Sequence, residues 1–226
     1  MSRPMRQRTA LVTGAARGIG AAIAESLRQQ DVRVLDAGRA EMDLSDPASI
    51  TAWLGRHGGE VDILVNNAGI NVLNDVEAIT PEDWSAMVQV DLTAPLQLLQ
   101  GVAPGMRVRG WGRIVNISSI FGVVTRERRG AYSAVKAGLN GLTRTAAVEL
   151  APYGILVNSV CPGYVATDLT RQNNSPADLE KIEATIPMGR LAEPEEIARF
   201  VGWLCSEANT YLTGQTILVD GGFTCR

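Results

Sequence analysis

Short runs of consecutive apolar residues alternate along this chain with longer stretches in which apolar positions recur every three or four residues. The runs Thr9–Thr13, Val32–Leu35, Ile63–Asn66, Gly112–Ile117, Leu156–Val160 and Thr216–Val219 read as strands buried on both faces. The stretches Ile19–Gln29, Pro47–Gly55, Pro81–Val108, Ala131–Leu150 and Pro194–Ser206 read as amphipathic helices. Regular alternation implies βαβ units with right-handed crossovers, hence an α/β fold whose doubly wound, mostly parallel sheet has helices on both faces. In such a sheet the strand order reverses beside the first strand and leaves a crevice at the strands' carboxyl ends. No repeat, linker or low-complexity segment divides the chain, so residues 1–226 read as one domain.

One interval breaks the rhythm. Only seven residues, Asp36 to Met42, separate Leu35 from Asp43. A crossover between parallel strands takes about a dozen residues or more. The interval 36–44 therefore has no room for a crossover helix, and a third strand there is absent or a stub. Six full strands remain.

Chemistry gathers at the predicted strand ends. Tyr132 and Lys136 lie four apart in a helical stretch and project from one face. An ammonium group near a phenol favours the phenolate and draws its pKa down toward the working range. Ser119 lies thirteen residues before Tyr132, at the end of the Gly112–Ile117 strand. A hydroxyl there can hold a substrate oxygen while the phenol moves a proton. Such a device needs a partner that moves hydride. Near the N-terminus, a strand runs into Gly14-Ala15-Ala16-Arg17-Gly18-Ile19-Gly20 and then a helix. Glycines let backbone approach a pyrophosphate, and a helix N-terminus supplies free N–H groups and partial positive charge.

Bulk properties narrow the class. The 226 residues are 46% hydrophobic with a formal net charge of −3. That is enough for one sizeable core, and it argues against nucleic acid or an anionic membrane as the main partner. No apolar run approaches the ~20 residues of a membrane helix, and residues 2–8 are basic without a following apolar segment. Cys161, Cys205 and Cys225 show no metal-ligand spacing, so no metal site is expected, and a cytoplasmic setting is. His57, the single histidine, reads as a solvated loop residue.

The ordered set of Thr13-Gly14-Ala15-Ala16-Arg17-Gly18-Ile19-Gly20, Asn66-Asn67-Ala68-Gly69, Ser119, Tyr132 with Lys136, Pro162-Gly163, Pro187-Met188-Gly189-Arg190 and Val219-Asp220-Gly221-Gly222 resembles the short-chain dehydrogenase/reductase family. The similarity spans nearly the whole chain and is strongest to bacterial 3-oxoacyl-carrier-protein reductases. It implies a single-domain Rossmann-like fold and an oxidoreductase dependent on NAD or NADP that interconverts a ketone and a secondary alcohol. By the same resemblance, Tyr132 is the proton donor and acceptor, and Ser119 steadies the substrate oxygen. Lys136 holds the nicotinamide ribose and acts on Tyr132. Gly14, Arg17, Gly18, Ile19 and Gly20 meet the pyrophosphate end of the cofactor. Asn67, Ala68 and Gly69 line its ribose, Asp43 and Leu44 form the adenine turn, and Pro162, Gly163, Val165 and Thr167 face the carboxamide. Asn66 and Ser118 read as structural.

Two departures bear on function. An acid ending the second strand favours NAD and arginines favour NADP. Asp36 points one way, Arg17 with Arg39 the other, with a slight lean to NADP. Asp91, in Val90-Asp91-Leu92, stands where the family often has an asparagine that holds a proton-relaying water. Its charge is expected to raise the Lys136 pKa. Residues 126–129 (Arg-Glu-Arg-Arg) are consistent with an anionic substrate but read first as a solvated charge run. Residues 169–186, broken at 173–176, resemble a substrate lid in which Leu179, Ile182 and Ile186 either cover substrate or pack.

The substrate expected first is a small-molecule or acyl-carrier-linked 3-oxoacyl-type ketone, with a sugar or polyol as the alternative. A catalytically silent dinucleotide-binding sensor or scaffold is a reading of another class, disfavoured by the intact Ser119, Tyr132 and Lys136. Helical faces of Pro81–Val108 and Ala131–Leu150 are expected to pair in a homotetramer.

Overall fold

The structure, a computed structural model, describes residues 6–35, 37–172 and 174–225, with backbone alone at Leu169. Asp36, and Asn173 at the expected break in the lid, lie outside the described residues.

Six strands form one parallel sheet: β1 (Thr9–Val12), β2 (Arg33–Leu35), β3 (Ile63–Asn66), β4 (Gly112–Ile117), β5 (Ile155–Pro162) and β6 (Thr216–Val219), in the order β2-β1-β3-β4-β5-β6. The order reverses between β1 and β3, where Leu11 pairs with Leu64 and Val12 with Val65. Every residue of β1, β3, β4 and β5 is buried, as strands covered on both faces require.

Successive side chains point to opposite faces and build two cores. Leu11, Leu64 and Ile114 join Ile50 and Trp53 of α2 (Pro47–His57), Leu98, Val102 and Met106 of a later helix, and Leu150 on one side. Ala10, Val12, Ile63, Val65 and Val115 meet Ile23 and Leu27 of α1 (Gly18–Arg28) and Ile197, Val201 and Leu204 of α8 (Pro194–Cys205) on the other.

The shortened link behaves as its length requires. No strand forms over residues 37–44. Turns occupy the interval, and Met42 inserts into the core beside Ile50 and Trp53, only 3% exposed. Among the described residues β2 is an edge strand with no partner on its outer side. Asp43 accepts from Ser45 N at 2.9 Å and Ser45 Oγ at 2.6 Å, which closes the turn before α2.

The long helix expected over Pro81–Val108 is not continuous. α3 (Pro81–Val88) passes through a π turn at Gln89–Thr93 into α4 (Ala94–Arg109). Single π turns open a helix locally. This one carries Asp91 inward, where it is buried, while Gln89 Nε2 donates to Leu44 O at 3.0 Å and ties the turn to the shortened link. α5 (Gly130–Leu150) follows β4, and α6 (Asp168–Gln172) and α7 (Pro176–Thr185) span the expected lid. Ser175 and Asp178 cap α7 reciprocally. Ile182 and Ile186 are buried and Leu179 half-buried. His57 ends α2 rather than sitting in a free loop; its Nδ1 lies 3.1 Å from Glu60 Oε1. Among the described residues no helix is long and apolar enough to cross a membrane.

Asp62 secures the amino ends of the central strands. Its buried carboxylate accepts from Thr9 N at 3.0 Å and pairs with Arg6 at 2.6 Å and Arg109 at 2.7 Å. Asp62→Asn is expected to lower the unfolding free energy by about 1.5–3 kcal/mol, the range for a lost charged hydrogen bond. Urea unfolding checks this; an unchanged midpoint contradicts it.

Candidate active site

The end of β1 turns sharply because Gly14 and Gly18 take left-handed backbone angles, φ +67° and +55°. Gly20 sits so close beneath this turn that a Cβ there would collide with the Gly14 carbonyl oxygen and Asn67 Nδ2. Thr13 Oγ1 accepts from Asn67 N and Ala68 N, both at 3.0 Å, and Asn67 Nδ2 donates to Thr13 O at 2.9 Å. These bonds clamp the glycine turn to the loop after β3. Arg17, the N-cap residue of α1, makes no side-chain cap, and the first turn of α1 contains no acid. The N-terminal N–H groups of α1 therefore have no side-chain acceptor of their own and face the crevice.

The opposite wall comes from β4 and α5. Ser119 lies two residues beyond β4 in extended backbone, and its Oγ accepts from Phe121 N at 3.1 Å. That bond holds the hydroxyl oxygen in the wall of a cavity of about 410 Å³. Tyr132 and Lys136 line the same cavity one helical turn apart, with Lys136 Nζ 5.5 Å from the Tyr132 ring centre. Ser118 Oγ instead donates to Lys136 O at 3.2 Å, and Asn66 Nδ2 donates to Asn116 Oδ1 at 2.7 Å. Both brace neighbouring elements.

Lys136 is 3% exposed and Asp91 1%. Lys136 Nζ donates to Ile117 O at 3.1 Å and lies 2.9 Å from Asp91 Oδ1. That second contact is an ion pair without hydrogen-bond alignment, because Oδ1 has no aligned donor. Asp91 Oδ2 accepts from Ile70 N at 3.0 Å. Gly69 packs over the pair, where a Cβ would come 2.5 Å from Asp91 Oδ1. Burial by itself lowers an ammonium pKa. The Asp91 carboxylate and the Tyr132 phenol outweigh it here, and the Lys136 pKa is raised.

Gly14, Arg17, Gly18, Ile19, Gly20, Asn67, Ala68, Gly69, Pro162, Gly163, Val165 and Thr167 all line the cavity with Ser119, Tyr132 and Lys136. Four described candidates are not in its lining: Asp91, which sits behind Lys136, and Arg39, Asp43 and Leu44. Arg39 and Asp43 pair with each other at 3.1 Å, and the Arg39 side chain is 83% exposed. The Asp43 carboxyl is held at about 2, chiefly by the Ser45 hydroxyl and N–H, with Arg39 adding to them. Leu44 offers its carbonyl to Gln89. Asp36 lies outside the described residues. Thr167 Oγ1 contacts Thr170 Oγ1 at 3.1 Å and accepts from Thr170 N at 3.3 Å, so it also supports α6.

The cavity also contains Phe121 and Tyr164, which the sequence does not single out, Thr170 and Asn174 from the expected lid, and, above all, Arg129 from the 126–129 charge run. Of the two readings open for residues 126–129, the solvated run does not hold for Arg129, which is 4% exposed. Its place three residues before Tyr132, at the N-cap of α5, was the available signal.

The glycine cradle, the uncapped start of α1 and the ammonium deep in the crevice fit a dinucleotide with its pyrophosphate at α1 and its nicotinamide end near Tyr132.

A family model described as enoyl-(acyl carrier protein) reductase matches residues 35–224. An acetoacetyl-CoA reductase of Shinella zoogloeoides is 39% identical over 239 aligned positions, covering 95% of this chain and 98% of that protein. The alignment is longer than the 226 residues of the chain, so that relative carries residues this chain skips. The 3-oxoacyl-(acyl-carrier-protein) reductase FabG of Vibrio cholerae is 37% identical, covering 95% of this chain and 96% of that protein. A gluconate 5-dehydrogenase from Burkholderia cenocepacia, solved in complex with NADP and tartrate, superposes with a TM-score of 0.91 at 31% identity, covering 98% of this chain and 97% of that one. Sheet order, crevice and sequence thus agree: the chain belongs to the short-chain dehydrogenase/reductase family, in a form whose sheet has six strands.

Proposed function

We propose that this protein is an NADP-dependent reductase that interconverts a ketone and a secondary alcohol. The observation that carries this reading is the convergence of Ser119, Tyr132 and Lys136 on one cavity whose far wall is the glycine turn and the start of α1. When bound, the nicotinamide supplies hydride to the carbonyl carbon, or takes it from the alcohol.

The chain's own groups then handle the oxygen. Ser119 Oγ donates a hydrogen bond to the carbonyl oxygen and steadies the charge that grows there. Tyr132 O–H gives that oxygen its proton in reduction and takes it back in oxidation. Lys136, kept protonated by its raised pKa, has three donors. One goes to Ile117 O and one faces Asp91, which leaves one for the cavity. The free donor is suited to ribose hydroxyls, and the charge favours the phenolate that proton transfer leaves behind. Thr170 and Asn174 of the 169–186 lid form part of the cavity wall, so closure there would exclude water.

Arg17, in the cavity wall and without an ion pair among the described residues, supports the preference for NADP through a 2′-phosphate. Arg39 is assigned no direct part, because Asp43 already engages it. The likeness to acetoacetyl-CoA and 3-oxoacyl-carrier-protein reductases supports a 3-oxoacyl-type ketone. The fold match to gluconate 5-dehydrogenases favours a sugar-acid substrate as the second reading. Free cysteines at 161, 205 and 225 suit a cytoplasmic setting.

Assembly as a homotetramer is part of the proposal. Strand β6 is an incompletely buried edge with Leu218 38% exposed, and Val148 on α5 is 77% exposed. Edges and apolar faces of this kind are covered in stable proteins. Analytical ultracentrifugation at micromolar concentration is expected to give a mass four times that of the chain; a monomer contradicts the assembly.

Tyr132→Phe is expected to cut ketone reduction by 10²–10⁴-fold, as loss of a general acid does, while NADP still binds. Turnover near the wild-type rate rejects the assignment, and NADP binding without turnover of any ketone by the wild type favours a silent sensor. Asp91→Asn removes the attraction that offsets burial of Lys136. The Lys136 pKa then falls, and the alkaline decline of kcat/KM moves to lower pH. An unmoved profile denies Asp91 a functional part.

A further inference from the structure

Arg129 is a buried guanidinium with nothing to neutralise it. It is 4% exposed. No carboxylate lies within ion-pair distance of it among the described residues, and its Nε has no acceptor. Its side chain makes no hydrogen bond among the described residues; only the face of the Phe121 ring, 5.0 Å away, receives it. The charges around it make matters worse. Arg126 and Arg128 are its neighbours in sequence and repel it, and burial already lowers its pKa. A buried charge without a partner is costly, and proteins rarely keep one unless something else completes it. Asp91 is engaged by Lys136 and Ile70. Asp168 lines the cavity, and Glu127 and Asp178 line the adjoining recess, but none is within pairing distance of Arg129.

Position gives this vacancy of charge a meaning. Arg129 lines the cavity that contains Ser119 and Tyr132 and stands at the N-cap of α5, three residues before Tyr132. A planar guanidinium matches a carboxylate through two parallel N–H···O bonds. We propose that Arg129 is the specificity residue of the substrate site and that it receives a free carboxylate carried by the ketone, making the substrate class a short oxo acid and its hydroxy-acid product. This deepens the ketone reductase reading and rests on it. The consequence is selective: an acyl thioester presents no anion at that position and would leave Arg129 unpaired. A buried polar group left unpaired by the wrong substrate is what gives sites of this type their large discrimination.

The test uses matched pairs, acetoacetate against methyl acetoacetate and levulinate against methyl levulinate, with acetoacetyl-CoA as the thioester and dihydroxyacetone phosphate as the phosphate arm. With NADPH, the wild type is expected to favour each acid over its ester by at least tenfold in kcat/KM. Arg129→Gln is expected to collapse that ratio mainly through KM, and Arg129→Lys to recover part of it. Calorimetric titration of the NADP-loaded protein with malonate is expected to show binding that weakens at least tenfold in Arg129→Gln. Equal use of acid and ester, preference for the thioester or the phosphate, or a ratio untouched by Arg129→Gln overturns the proposal. If no ketone is reduced, the reductase reading fails. In that case Arg129-dependent malonate binding still supports the carboxylate site, and absence of that binding overturns it too.

Discussion

A buried ammonium is the constraint around which this site is built. Lys136 has almost no contact with solvent, and an isolated charge there would be too costly to keep. It is kept by the Ile117 carbonyl at the end of β4 and by Asp91, itself anchored to Ile70 after β3. Four segments must meet for this to happen: α5, the end of β4, the loop after β3, and the π turn between α3 and α4. The π turn is the least regular of them, and it is the turn that carries Asp91. Once the ammonium is seated, Tyr132 is positioned with it, because both side chains leave the same face of α5. The carboxylate also changes the electrostatics. A neutral amide could have held the ammonium's neighbours, but Asp91 adds a charge that raises the Lys136 pKa against the effect of burial.

The missing crossover is tolerated because it removes an edge and not the centre. The crevice depends on β1, β3, β4 and β5 and on the reversal of order beside β1, all of which are intact. What changes lies at the β2 side. Met42 fills core space beside Trp53, and Asp43 is saturated by Ser45 and Arg39. A carboxylate already accepting three bonds has less capacity left for an adenine amine.

Much of this was legible from the chain. Apolar runs of four to six residues marked all six strands, most clearly β1, β3, β4 and β5, which are covered on both faces and so must be apolar throughout. The length of the interval before Asp43 excluded a seventh. The glycine turn, Ser119, Tyr132 and Lys136 were legible because their chemistry depends on local spacing. The π turn was not: Pro81–Val108 keeps its apolar recurrence through the interruption, and one inserted residue leaves little trace in periodicity. Nor was the burial of Arg129. Within Arg126-Glu127-Arg128-Arg129 all four residues look solvated, and only tertiary packing under Phe121 separates the last from the others. The pairing of Arg39 with Asp43 was equally hidden, since either residue alone suits a nucleotide. Local chemistry was readable, in short, where side chains four apart decide it, and unreadable where distant elements decide what covers a charge.

The most direct measurement is a crystal structure of the protein with NADP and an unreactive oxo-acid analogue. The account requires the nicotinamide ring to lie beside Lys136, with the Ser119 and Tyr132 hydroxyls both within hydrogen-bond distance of the analogue's carbonyl oxygen. A dinucleotide seated elsewhere, or a Tyr132 hydroxyl turned out of the crevice while the analogue is bound, would contradict it.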